Sequence, residues 1–280
     1  MPSLSPLSTG TVPGASQPVR TRKVSAWIGF ALLLIGLLGV IAFRGPFAAP
    51  WLPTFAIILA FAGLAKILGG VTYSGAAAGL LVTSLLFLSG GAPMFVAVLL
   101  VFVLTLAATK FGRARKQSLT IAERSGGRSG RQVLANVGIS ALFAALSHLT
   151  PYRLPLLVGA LAALAEAACD TVSSETGKAL ALEPRLITSG KIVSPGTDGA
   201  ISVPGTLFGA LAAMLIAMAA FVTGVLDPRQ ATIVAGMGVF GMLVDSLLGA
   251  TLEPRGQLTN NTINLLATLT TALLATIVAW

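Results

Sequence analysis

Four carboxylates lie in, or at the edge of, long apolar segments, and these residues are the best candidates for chemistry: Glu166, Asp170, Glu175 and Asp245. A charge at bilayer depth costs about 2.5–3.5 kcal/mol, so such residues usually face the interior of a helix bundle and mark a functional site. Two carboxylates that face each other near a membrane surface can hold Mg²⁺, relay protons in a transporter, or pair with Arg or Lys as structure.

Helical spacing places two of these acids on one face. Glu166 and Asp170 are four residues apart, whereas Glu175 falls roughly opposite Glu166 at 100° per residue. Glu175 therefore joins Asp170 in one site only if the helix bends or ends before it. In the alternative interpretation, Glu175 and Lys178 form an interfacial charge pair that caps the helix.

Asp245 belongs to a stripe of small residues. Gly241, Asp245, Gly249 and Glu253 recur at every fourth position. Small residues allow helices to approach closely. The pattern predicts that Asp245 faces another helix and not lipid.

The segment around 123–136 has the composition of an anion-binding loop. Glycines allow backbone N–H groups to point at an anion, arginines can form paired hydrogen bonds with phosphate oxygens, and two amide side chains enter the next helix on one face. These candidates are Glu123, Arg124, Gly126, Gly127, Arg128, Gln132 and Asn136. The alternative is a flexible basic linker that binds lipid headgroups.

A second polar loop spans 183–202, and its turn signals predict a small hairpin with short strands around Ile187 and Ile192. Its candidate phosphate or metal partners, together with the end of the preceding helix, are Lys178, Lys191, Gly196, Thr197, Gly199 and Ser202. Neither loop contains the G-x-x-x-x-G-K-[ST] pattern of a P-loop. Asn264 enters the last apolar segment and needs a hydrogen-bond partner inside the bundle.

The elements that must position these residues are membrane-spanning helices. Only 10% of the 280 residues are charged and 55% are hydrophobic, whereas a soluble domain has about 25% charged residues. The sequence predicts an all-α, polytopic helix bundle (24–280) after a disordered tail (1–23). A spanning helix needs roughly 20 apolar residues, and the predicted spans are 24–43, 51–69, 72–90, 92–110, 132–149, 154–175, 203–224, 230–250 and 262–280. One Cys and one His exclude a disulfide framework and disfavour a His-built metal site.

The distribution of basic residues predicts the orientation. With a cytoplasmic N-terminus, all but Arg44, Arg153 and Arg229 of the 18 Lys and Arg residues fall on the cytoplasmic side. We therefore expect a bacterial inner-membrane protein whose C-terminus is outside. The net charge of +9 favours contact with membrane lipids and phosphates, and nucleic acid is not an expected partner. The oligomeric state stays open.

Seven blocks of sequence carry a resemblance as a set. They are A-A-T-K-F-G at 107–112, E-R-S-G-G-R at 123–128, Q-V-L-A-N at 132–136, C-D-T-V-S-S-E-T-G at 169–177, P-G-T-D-G-A-I-S at 195–202, D-S-L-L-G-A-T at 245–251 and N-L-L at 264–266. Over about 70–280 the chain resembles the integral-membrane family known as domain of unknown function ninety-two, which includes plant phytyl-phosphate kinase. Two positions depart from the pattern of that family, Val137 in place of Gly and Glu253 in place of Gln.

The resemblance implies transfer of a phosphoryl group from a nucleoside triphosphate, with CTP the first donor to test, to an isoprenoid monophosphate such as phytyl phosphate. Asp170 and Asp245, with Glu175, are then expected to hold Mg²⁺, while Asn136 and Asn264 orient oxygens and the loop residues bind phosphates. The alternative is a secondary transporter of an anionic or lipid-phosphate solute, with the same acids as its coupling-ion site near the midplane.

Overall fold

The computed structural model describes residues 51–122 and 126–280, and over these ranges it is a bundle of helices with a single two-stranded ribbon. The helices are, in chain order, α1 (Trp51–Ile67), α2 (Tyr73–Gly90), α3 (Ala92–Lys110), α4 (Arg113–Ser118), α5 (Gly130–Leu149), α6 (Arg153–Leu180), α7 (Val203–Val222), α8 (Pro228–Thr251) and α9 (Asn260–Ala279). Seven of these helices in the described residues are long and apolar enough to cross a membrane. The two that are not among the seven are α1 and the short α4. The predicted all-α polytopic fold is confirmed, whereas the predicted span 24–43 and the tail 1–23 lie outside the described residues.

The helix ends follow local capping chemistry. Ser129 and Gln132 form a capping box that begins α5, and Asp227 and Gln230 form another that begins α8. The hydroxyl of Ser202 accepts a hydrogen bond from the N–H of Gly205 at 3.2 Å and so caps α7. These side chains satisfy N–H groups that have no partner within the helix.

Helix α6 lies at the centre of the bundle and packs against α3, α5, α7, α8 and α9. Its middle is built from Ala and Leu, and every residue from Leu157 to Cys169 is buried. Small residues allow its neighbours to come close. A β-carbon on Gly209 of α7 would lie 2.7 Å from the carbonyl oxygen of Cys169, and one on Gly238 of α8 would lie 2.9 Å from the Ala165 side chain.

Two elements differ from the sequence prediction. Helix α6 continues to Leu180, beyond the predicted end at 175, because an ion pair between Lys178 and Glu175 and two good helix formers, Ala179 and Leu180, extend it. Helix α4 lies within a segment that was predicted to be a loop. It has too few residues to be stable alone and is held by tertiary contacts, since Arg115 donates to the carbonyls of Ala179 at 3.1 Å and Ala181 at 2.9 Å.

The hairpin predicted with strands around Ile187 and Ile192 is reduced to a single bridge between Arg185 and Ile192, and the two strands of the segment lie at other positions. Strand β1 (Arg185–Leu186) pairs antiparallel with β2 (Ala200–Ile201). Between them the chain turns back, and the N–H of Leu186 donates to the carbonyl of Lys191 at 2.9 Å. The hairpin stands at the end of the bundle where α6 and α8 end and where α5, α7 and α9 begin. We call this the basic end, because Arg153 and Arg229 are the only Lys or Arg residues of the described ranges at the opposite end.

Candidate functional site

A polar cavity of about 330 Å³ lies at the basic end of the bundle. Its walls come from the helices α5, α6, α8 and α9 and from the loop 195–202 that leads into α7. All five residues predicted to be catalytic line this one cavity, and they are Asn136, Asp170, Glu175, Asp245 and Asn264. Residues far apart in the sequence are therefore brought together by the helix packing.

Asp170 is the half-buried carboxylate on the central helix. It lies within electrostatic range of the cations Arg128 and Lys178 and of the Glu175 carboxylate. Arg128 Nη2 also donates to the hydroxyl of Thr171, the next residue, at 3.4 Å. Asp170 is itself among the residues that line the cavity.

Asp245 is linked to two carboxamides on neighbouring helices. The Asn264 amide contacts the side chain of Asn136, and the orientation that satisfies its neighbours places Nδ2 3.1 Å from Asp245 Oδ2 and 2.8 Å from the Asn260 carbonyl. Asn264 thus has the partners that its position in an apolar segment requires. Asp245 is only 9% exposed, as its small-residue stripe predicts, and it lies within electrostatic range of Asp170.

Glu175 lines the cavity as a member of a buried ion pair. Its Oε2 lies 2.6 Å from Lys116 Nζ, and its Oε1 lies 3.0 Å from Lys178 Nζ. Lys116 is 1% exposed and also donates to the carbonyls of Ala108 at 3.0 Å and Thr109 at 2.8 Å. The pair of Glu175 and Lys178 that formed the alternative interpretation is present, although it lies inside α6 and does not cap the helix. A metal-ligand role for Glu175 stays a prediction.

The loop 195–202 closes one side of the cavity because a glycine permits close contact with α8. Gly199 has a φ of +73°, and a β-carbon there would lie 2.4 Å from the backbone nitrogen of Ala250. Just beyond α8, burial and the nearby Asp198 carboxylate raise the pKa of Glu253 above its ordinary value of 4.5, while a hydrogen bond from the Asn260 backbone opposes that shift.

The remaining predicted residues fall in different places. Those that line the polar cavity are Arg128, Gln132, Lys178, Gly196, Thr197, Gly199 and Ser202. Gly126 and Gly127 instead line a second, apolar cavity, because residue 128 pairs with residue 71 and draws the segment toward the turn between α1 and α2. Lys191 is exposed on the hairpin and is not among the lining residues. Glu123 and Arg124 lie outside the described residues.

Besides Asp198 and Glu253, hydroxyl and amide side chains that are not among the predicted site residues line the cavity. They are Thr171, Ser173, Ser174, Ser246, Asn260 and Asn261. The sequence indicates two of them by position, since Thr171 and Ser246 each directly follow one of the two aspartates. Lys116 had no such signal, because it lies in a run of basic residues without apolar periodicity.

A protein-only metal cage is not seen in the described part of the chain. No group of three or more His, Cys, Asp or Glu side chains suited to a metal ion occurs there. Asp170 and Asp245 together offer two carboxylates. That number suits Mg²⁺, which is commonly held by one or two carboxylates together with substrate phosphates and water.

Comparisons with known proteins agree with the architecture. Residues 56–272 match the family described as integral membrane protein DUF92. The chain is 38% identical over 168 residues to an uncharacterised membrane protein of Methanocaldococcus jannaschii, which covers 60% of this chain and 68% of that one. It is 34% identical over 177 residues to an uncharacterised membrane protein of Synechocystis, which covers 61% and 67%.

A plant protein is a further relative. The chain is 31% identical over 207 residues to the chloroplastic protein VTE6 of Arabidopsis thaliana, which covers 70% of this chain. The match spans 62% of the length of VTE6. No solved structure matches the chain significantly.

Proposed function

The chain belongs to the DUF92 family of integral membrane proteins, and on that premise we propose that it is a membrane-embedded kinase of isoprenoid metabolism. It transfers the γ-phosphoryl group of a nucleoside triphosphate, CTP in the first instance, to an isoprenoid monophosphate and so forms the diphosphate. The observation that carries the proposal is the polar cavity, whose lining includes basic side chains and four residues from four different helices: Asn136, Asp170, Asp245 and Asn264. The resemblance to a family that includes plant phytyl-phosphate kinase supplies the reaction.

Phosphoryl transfer suits this set of residues, because it needs positioning and charge neutralisation more than covalent help from the protein. An oxygen of the acceptor monophosphate forms a bond to the γ-phosphorus, and the bond between the γ-phosphorus and the β–γ bridging oxygen breaks, which releases the nucleoside diphosphate. The acceptor phosphate is already an anion, so the reaction requires no strong general base.

Each side chain then has a stated task. Asp170 and Asp245 are the residues that would hold Mg²⁺, which would neutralise the charge of the phosphates. Arg128 and Lys178 line the same cavity as Asp170, and there they would bind phosphate oxygens. The hydrogen bonds between Asn264, Asn136 and Asp245 hold the Asp245 carboxylate in one orientation.

The position of the cavity favours a kinase over a transporter. A transporter would place its coupling acids near the midplane with access from both sides. Asp170 and Asp245 share their cavity with the loop 195–202 at the basic end. Glu166, deeper in α6 and 1% exposed, is not among the residues that line it.

The test is a transfer assay with the purified full chain in detergent. γ-Labelled CTP, ATP, GTP and UTP are each supplied with Mg²⁺ and phytyl or geranylgeranyl phosphate, and the lipid product is separated and identified. We expect labelled prenyl diphosphate, and chelation of the metal by EDTA should stop its formation until Mg²⁺ is restored. Absence of labelled diphosphate with every donor and every prenyl length would refute the kinase proposal.

A further inference from the structure

We propose that the apolar cavity beside the polar one holds the hydrocarbon tail of a single-chain isoprenoid phosphate, and that Gly79 sets how much tail it accepts. The proposal deepens the proposed function and rests on it, since it assumes that the polar cavity binds the phosphate of the same molecule. The apolar cavity would recognise the acceptor and would take no part in the chemistry of transfer.

The apolar cavity has a volume of about 370 Å³ and lies among α1, α2, α3 and α5. Its walls are largely hydrocarbon and aromatic, with Phe61, Val82, Val98, Val101 and Phe102 among them. Its volume is in the range of small-molecule sites. Apolar walls favour a chain without polar groups, because a polar group buried there would lose its hydrogen bonds to water.

The two cavities meet at shared residues. Arg128 and Asn136 line both of them. A molecule that lies across this junction would place a phosphate beside Arg128 and Asp170 and a hydrocarbon chain on the other side. An amphiphile with one anionic end and one apolar tail has this distribution of polarity, whereas a water-soluble phosphate would use only the polar cavity.

The position of Arg128 at the junction is fixed by its backbone. The N–H of Arg128 donates to the carbonyl of Gly70 at 2.9 Å, and the N–H of Thr72 donates to the carbonyl of Arg128 at 3.0 Å. Glycines make this approach possible, since a β-carbon on Gly127 would lie 2.5 Å from the backbone of Val71 and one on Gly75 would lie 2.1 Å from the Arg128 carbonyl. The chain thus anchors a cation between the two cavities.

Gly79 lines the apolar cavity from α2, and nothing lies within 4 Å of the position that its β-carbon would take. A β-carbon there meets no protein atom, so a larger side chain would extend from open space at the cavity wall. It would occupy space that the tail needs. Since each buried methylene is worth roughly a fourfold gain in affinity, the loss should grow with the length of the acceptor.

The kinetic experiment compares two acceptors and two glycine variants. We expect Gly79→Leu to raise KM for geranylgeranyl phosphate about tenfold or more, as a loss of two or more buried methylenes would, and to leave KM for dimethylallyl phosphate close to the wild-type value. Gly63→Leu is the matched control, because Gly63 is also helical with open space around it but does not line the cavity. Equal KM values of Gly79→Leu and wild type for the long acceptor would overturn the proposal.

A second readout does not depend on activity. Wild-type protein is irradiated with a geranylgeranyl phosphate that carries a diazirine at the far end of its tail, and the labelled peptides are identified by mass spectrometry. We expect label on α1, α2, α3 or α5 that unlabelled geranylgeranyl phosphate competes away, and label elsewhere would overturn the proposal.

The two readouts separate the failure of this proposal from the failure of the kinase proposal. Competable label in the apolar cavity without any phosphoryl transfer would refute the kinase and leave the tail site supported. Transfer activity with label elsewhere would refute the tail site alone.

Discussion

The buried ion pair between Lys116 and Glu175 determines what Glu175 can contribute to the polar cavity. Glu175 is paired with two ammonium groups whose combined charge exceeds its own, which disfavours a further cation there, so we propose that Asp170 and Asp245 hold the divalent ion. The pair also fastens α4 to α6, because Lys116 belongs to the short helix and Glu175 to the central one. Its main effect is therefore expected on stability.

Glu175→Gln should destabilise the protein by about 3–5 kcal/mol, because it leaves the buried ammonium of Lys116 without a compensating charge. The measurement is thermal unfolding in detergent, and the double variant Lys116→Met with Glu175→Gln is the control. The double variant should regain much of the loss, since it removes the unpaired charge. An unfolding temperature of Glu175→Gln equal to that of the wild type would show that the pair contributes nothing.

Glu253, which lies outside the spanning helices, is expected to make the folding stability depend on pH. Its pKa is raised above 4.5 in the folded protein by burial and by Asp198, so folding favours the protonated form. The corresponding stabilisation is fully present below pH 4.5 and is lost as the pH rises through the folded-state pKa. Glu253→Gln should therefore flatten this part of the stability curve, by a small amount because the carboxyl is partly exposed.

Unfolding temperatures of Glu253→Gln and wild type at pH values from 4 to 8 test this expectation. The two proteins should differ most at the upper end of the range, with the variant more stable. A difference that is the same at every pH would show that the titration of Glu253 is not the cause.

At the scale of elements, glycine decides how closely the loop 195–202 approaches α8. Gly199 combines a left-handed backbone with contact to Ala250, whereas Gly190 has a similar φ of +67° and nothing within 4 Å of its β-carbon position. Both positions carry the same conformational cost on substitution by Ala. Only at Gly199 would the added β-carbon also collide with the backbone of α8.

Gly199→Ala should move the loop away from the polar cavity and reduce kcat/KM for transfer about 10²-fold, which is the cost expected for a displacement of about 1 Å near a catalytic site. Gly190→Ala should keep activity close to that of the wild type. The measurement is the initial rate of transfer in the assay described above. Equal rates for the two variants would show that the contact between the loop and α8 does not position the site.

The spans could be predicted from the sequence because each needs about 20 apolar residues, a requirement of membrane thickness and not of tertiary contacts. Helix α8 is an example, since it begins at Pro228 after the cap Asp227 and ends at Thr251. Helix α4 could not be predicted, because Lys116 and Arg115 stabilise it only through partners on α3 and α6.

In the candidate site, too, some residues could be predicted from the sequence and others depend on tertiary contacts. Asp170 and Asp245 could be identified because acids are rare in apolar helices, and Asn264 because a buried amide needs a partner. Asn264 lies between Asn136 and Asp245. Residue spacing could not predict this position, because it depends on how α5, α8 and α9 pack. Gly126 and Gly127 have the composition of a phosphate loop, but the close approach of Gly127 to Gly70 and Val71 gives Gly127 a packing role.

For the whole molecule, the concentration of basic residues at one end predicts that this end, with the polar cavity, faces the cytoplasm. The single cysteine, Cys169, is buried, so the wild type gives a low background for thiol labelling. In spheroplasts of a bacterial host, an impermeant maleimide should label Gly224→Cys at the opposite end. Thr188→Cys on the hairpin should react only after lysis, and the reverse pattern would contradict the orientation.

Under the proposed function, Asp170 and Asp245 act together on the phosphates of the nucleotide and the acceptor. The most direct test is the rate of prenyl diphosphate formation by Asp170→Asn and by Asp245→Asn, with Asp227→Asn as the matched control at the other end of α8, where Asn preserves the helix cap. We expect each of the first two variants to lose at least about 10²-fold in rate while the control retains the wild-type rate. A wild-type rate in either Asp170→Asn or Asp245→Asn would contradict the account.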